Sequence, residues 1–93
     1  MSTRTTYPRI RTVEPLADWK LHVEFENGTA KVYDCAPLLD DEAFRPLKNE
    51  RVFRTVRADE HGYGVVWNDE IDLAESELWI HGRPARSSEG SNA

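Results

Sequence analysis

One thiol and three imidazoles carry most of the chemistry this chain could offer. Cys35 and His22 lie on two runs that alternate like paired strands, and a two-residue connection would set them diagonally on one face, about 7 Å apart. A thiolate beside an imidazole is the minimum for a cysteine nucleophile, because a neighbouring base or cation lowers the thiol pKa. The pattern supplies neither a third residue to orient the imidazole nor a donor for an oxyanion. The preferred reading makes Cys35 a small apolar residue at a strand end and packs His22 on Tyr33.

Asp59, Glu60 and His61 bring two carboxylates and an imidazole into one turn. No ligand spacing of the kind that builds a metal site repeats here, so turn chemistry accounts for them. Cys35, His61 and Asp59 are therefore the weaker alternative site. Asp69, Glu70 and Asp72 share part of a calcium loop's pattern without its Gly or its closing Glu. Gly62 and Gly64 alternate instead of cradling a phosphate, and no Lys-Ser or Lys-Thr follows. Neither a metal nor a cofactor is expected. Arg4, Arg9 and Arg11 form a basic arm that could reach phosphates, but the body behind it is acidic, which makes direct nucleic-acid binding the minor reading.

These side chains must be positioned by a small set of elements. Trp19, Leu21, Val23 and Phe25 alternate with Lys20, His22, Glu24 and Glu26, the two-residue period of a strand with one buried face. Asn27-Gly28 follows, and both residues tolerate the positive φ of a tight hairpin turn. A two-residue loop would pair Phe25 with Ala30, Glu24 with Lys31, Val23 with Val32 and His22 with Tyr33. The apolar face would then be Leu21, Val23, Phe25, Ala30 and Val32. Before this hairpin, Ile10 to Glu14 reads as a first strand that Pro15 ends.

After it, Ala36 to Asp40 and Ala43 to Lys48 read as short helical turns. Asn49 is expected to cap a helix from Glu50 to Arg54. Strand periodicity returns at Thr55–Asp59, Tyr63–Trp67 and Glu70–Leu73, with a tight turn at Asn68-Asp69. A last helix opens at Glu75 or Ser76 and stops at Gly82, a residue type suited to the position after a helix. The expectation is an α+β domain: a curved antiparallel sheet of about five strands, built on two hairpins, with short helices. A mobile arm (residues 1–8), one domain (9–82) and a disordered tail (83–93) complete the division.

The chain has 93 residues, enough for one core and no roomy enclosed site. One cysteine rules out an internal disulfide, no apolar run approaches the ~20 residues of a membrane span, and Met1 opens no signal-peptide pattern. A cytoplasmic protein is expected. The net charge of −5 is uneven: residues 1–13 carry +3, residues 14–82 carry −9, and residues 83–93 carry +1. An acidic body favours solubility or a basic partner. Trp79, with Leu78 beside it on the last helix, is the candidate anchor of a partner surface, joined by Tyr33 and His22 on the hairpin, since Trp is enriched among interface anchors.

The order of residues also carries a resemblance. It runs Pro8-Arg9-Ile10, Val13-x-Pro15-Leu16, Leu21-x-Val23-x-Phe25-x-Asn27-Gly28, Pro37-Leu38-Leu39, Phe44-x-Pro46-Leu47, Phe53-x-x-Val56-Arg57, and Val65-Val66-Trp67 to Ile71-Asp72-Leu73. Over about residues 7–80 this resembles the small bacterial family catalogued as domain of unknown function 2442. Many members have Trp-Pro-Asn-Gly before the last strand, where this chain has Trp67-Asn68-Asp69-Glu70. The resemblance implies an α+β domain, no established catalytic residue, and a place as the antitoxin-like or regulatory half of a pair of small proteins. The expected function is thus a non-enzymatic interaction module whose partner is a small basic protein or a second copy. A small ligand binder or a Cys/His-dependent enzyme is the alternative.

Overall fold

A computed structural model describes residues 7–85; Arg4, the rest of the arm before Tyr7, and the tail from Arg86 onward lie outside the described residues. The protein is α+β, with two antiparallel sheets in place of the single expected one. Strands β1 (Ile10–Leu16), β2 (Lys20–Phe25), β3 (Ala30–Asp34) and β7 (Arg83–Pro84) form the first sheet in the order β1-β2-β3-β7. Strands β4 (Arg57–Ala58), β5 (Gly64–Asn68) and β6 (Ile71–Ala74) form the second in sequence order. Helix α1 (Glu50–Phe53) precedes β4, and α2 (Glu75–His81) joins β6 to β7. Three 3-10 segments, Ala17–Trp19, Ala36–Asp40 and Glu42–Lys48, supply the remaining turns. Among the described residues no helix is long and apolar enough to cross a membrane.

The central hairpin forms where expected but one residue out of register. Glu24 faces Ala30, Val23 faces Lys31, His22 faces Val32 and Leu21 faces Tyr33. Gly28 N–H donates to Phe25 C=O (2.9 Å), Phe25 N–H donates to Thr29 C=O (2.8 Å), and Gly28 has φ +92°. This is a three-residue loop closed by a glycine bulge, the other hairpin that Asn-Gly can build. Because side chains alternate, the one-residue slip turns β3 over. Tyr33 and Cys35 enter the core beside Leu21, Val23 and Phe25, while Ala30 and Val32 stay half-exposed. The expected Glu24–Lys31 pair is replaced by a 3.9 Å contact between Arg11 and Glu24.

Pro15 does not end β1; it pairs with Leu21 inside the strand. An edge strand tolerates this because a nitrogen without a proton can face away from the ladder. Gly82 does not take the left-handed conformation expected after a helix: its φ is −76°. It is small for another reason, since a Cβ there would lie 2.5 Å from Leu78 O and 3.2 Å from Lys31 Cβ. The chain slips past that contact into β7, so residues 83–85 are not the start of a tail. Arg83 faces Val32, Pro84 faces Lys31, and Ala85 N–H donates to Ala30 C=O.

The core lies between the inner faces of the two sheets and is closed by the helices. Leu21, Val23, Phe25, Val65 and Leu78 are fully buried, and α2 packs against β3 of one sheet and β5 and β6 of the other. Trp19 Nε1 donates to Leu47 C=O (2.6 Å) and Trp67 Nε1 donates to Phe53 C=O (2.9 Å). These two bonds satisfy both indoles and hold the middle of the chain onto the sheets. Asn49 caps α1 by accepting from Arg51 N–H, and Asn68 accepts from Glu70 and Ile71 to close the β5–β6 turn.

Candidate functional site

The register of the hairpin separates Cys35 from His22. His22 lies opposite Val32 on the outer face, one position out of phase with Tyr33, and Cys35 is fully buried on the inner side. Burial, and then the neighbouring Asp34 charge, push the thiol pKa up to about 12. A buried thiol held protonated cannot attack, because the thiolate is the nucleophile. Iodoacetamide is accordingly expected to leave Cys35 untouched in the native chain at pH 8 and to modify it only after denaturant is added. The same shift couples to stability. The proton is held more tightly in the folded state, so the contribution is complete below the unfolded pKa of about 9 and is lost as pH rises toward 12. Denaturation curves between pH 9 and 10 should show the wild type losing up to about 1.4 kcal/mol per pH unit and Cys35→Ala losing less. Equal slopes would show that Cys35 does not control this loss.

The second candidate is a working turn. Asp59 accepts from His61 N–H (2.8 Å) and Tyr63 N–H (3.3 Å), and these bonds hold its carboxyl pKa below the usual range. Gly62 C=O in turn accepts from Ile10 N–H, tying this turn to β1. His61 is exposed and faces Glu60 at 3.3 Å. No group of three or more metal-ligating side chains forms among the described residues.

The residues named as a partner surface divide along α2. Leu78 is fully buried and serves the core. Trp79 sits half-buried, edge-on to Phe25 at a ring distance of 5.1 Å, with the Lys31 ammonium 4.1 Å from its centroid; Lys31 Nζ also donates to Trp79 C=O. Ile80, next along, is 55% exposed. Tyr33 leaves only its hydroxyl near the surface, donating to Glu77 Oε2 at 2.7 Å. The same oxygen stands 3.1 Å from His81 Nδ1. Burial and the Glu77 bond raise the Tyr33 pKa well above its ordinary value. Tyr33, Glu77 and His81 thus make one linked group. The four-residue spacing of Glu77 and His81 on a helix was legible; Tyr33 joins them only through the observed register. Asp34, His81 and Arg83 line two adjoining clefts beside this group, of about 290 and about 400 Å³.

A different surface lies along β6. Residues 58–82 hold seven carboxylates and no Lys or Arg. Five of these, Asp69, Glu70, Asp72, Glu75 and Glu77, fall on β6, its preceding turn and the first turn of α2. Glu75 N–H donates to Tyr63 C=O, and Leu73 faces Val65. Alternation then aims the backbone N–H and C=O of Asp72 and Ala74 away from β5. No described strand pairs with that side. The other three edges are obstructed or short: β1 carries Pro15, β7 has two residues including Pro84, and β4 has two residues.

The family model described as "Protein of unknown function (DUF2442)" fits residues 10–84. No curated protein and no solved structure matches the chain.

Proposed function

The chain belongs to the DUF2442 family of proteins of unknown function, and from that premise we propose that it is a non-enzymatic, cytoplasmic interaction module that binds a small basic protein. The observation that carries this reading is the β6 edge, unpaired among the described residues, with Asp69, Glu70, Asp72 and Glu75 on it or beside it. An extended segment added there would gain main-chain hydrogen bonds from Asp72 and Ala74. Flanking acids would favour Lys and Arg at its ends and speed its approach. A second copy is the poorer partner, because β6 against β6 brings like charges together. The antitoxin-like or regulatory role that the family resemblance implies is compatible with such a surface. The burial of Cys35 weighs against the Cys/His enzyme reading.

Tagged wild type and the triple variant Asp69→Lys, Asp72→Lys, Glu75→Lys should be compared by capture from the native host, with intact-mass analysis of the complex. Wild type is expected to retain a basic protein in stoichiometric amount, less so as salt rises from about 0.05 to 0.3 M. The triple variant is expected to lose it about tenfold or more. Equal capture by both proteins, or a partner that is acidic, would refute the reading.

A further inference from the structure

The end of the four-stranded sheet opposite the Asn27-Gly28 turn carries a cluster of unlike sign to the rest of the molecule. Strand β7 covers β3 only at Lys31 and Val32, so Tyr33 and Asp34 run on beyond it. There Lys20, His81 and Arg83 surround a hollow of about 290 Å³, together with Val32 and Asp34. Neither Lys20 nor Arg83 takes part in an ion pair among the described residues, in a chain whose net charge is −5. Asp34, the one acid in the hollow, spends one carboxylate oxygen on Ala36 N–H at 3.0 Å. The imidazole of His81 is held through Nδ1 by Glu77, leaving Nε2 without a described partner. The adjoining cleft of about 400 Å³ shares Asp34, His81 and Arg83 and is otherwise walled by Tyr33, Pro37, Leu38 and Glu77.

We infer that these two clefts form one binding site for a small organic phosphate. Lys20, Arg83 and His81 receive the phosphoryl group in the first hollow. The organic body lies against Tyr33, Pro37 and Leu38 in the second. An arginine fork and a lysine point charge together match the several acceptor oxygens of a phosphate. A carboxylate brings less charge and fewer acceptor oxygens to the same three side chains. The site goes beyond the partner-binding reading and uses a different part of the surface from β6.

The test is an NMR titration of the full chain with inorganic phosphate and with phenyl phosphate. Saturable amide shifts are expected at Lys20, Val32, His81 and Arg83 with both probes. Phenyl phosphate is expected to bind about threefold or more tighter and to move Tyr33 and Leu38 as well, because its ring buries apolar surface. Arg83→Ala and Lys20→Ala should each weaken binding by about tenfold, the loss of one charge-assisted contact. Arg54→Ala, an exposed arginine elsewhere, should leave it unchanged. Asp72→Lys should also leave it unchanged, which separates this site from the β6 edge. Shifts that never saturate, equal affinity for the two probes, or indifference to Arg83→Ala would overturn the proposal.

Discussion

Gly64→Ala is expected to cost about 3 kcal/mol or more and to lower the melting temperature by roughly 12–24 °C. A Cβ on Gly64 would overlap Leu73 O and stand 3.1 Å from Leu73 C and 3.2 Å from Ala74 Cα. All three atoms are backbone, so no side-chain rotation can relieve the overlap. Strand β6 would have to retreat from β5, and the pairing of Gly64 with Ala74 and Val65 with Leu73 would go with it. The inner face of β6, Ile71 and Leu73, would lose its packing at the same time. Gly28→Ala makes the contrast, because nothing lies within 4 Å of its Cβ and only its positive φ resists. That substitution should cost about 1–2 kcal/mol. Thermal melts followed by circular dichroism measure both; Gly64→Ala melting within a few degrees of wild type would refute the close-approach argument.

The second large effect is at Phe25. The ring is fully buried and meets Trp79 edge-on, so Phe25→Ala removes a core side chain and the support of the α2 indole together. Truncations of this kind cost about 3–5 kcal/mol, a large share of the 5–15 kcal/mol that holds a typical domain folded. Equilibrium denaturation should show that loss, and near-ultraviolet circular dichroism should show Trp79 released. Phe25→Leu should be milder, since it keeps most of the volume. A cost below about 1 kcal/mol for Phe25→Ala would mean that α2 does not rely on this contact.

Alternation and side-chain capping in the sequence reported local structure faithfully, whereas the stop signals at Pro15 and Gly82 did not. Leu21, Val23 and Phe25 alternate and are buried, and Asn49 and Asn68 accept the backbone bonds that their turn positions require. The β2–β3 register was not legible, because Asn-Gly fits both a two-residue and a three-residue loop. The choice was made at a distance: the observed register buries Tyr33 and Cys35, a larger apolar surface than Ala30 and Val32 would supply. Strand β7 was invisible for a similar reason. Arg83-Pro84 has no strand signature, and it pairs because α2 and the close passage of Gly82 deliver it to β3. The candidate sites follow the same division. The acids around β6 are contiguous in sequence, and Glu77 and His81 are one helical turn apart. Lys20, Asp34 and Arg83 come together only once β7 has closed the sheet.

The closing of that sheet also decides where the described residues enter and leave it. Strands β1 and β7 are its two flanks, and Ile10 and Ala85 both lie at the hairpin end, beside Phe25 and Ala30. Three strand spacings, about 14 Å, separate the two exits. The described chain therefore enters and leaves the sheet on either side of the Asn27-Gly28 tip, at the opposite end from Lys20 and Arg83.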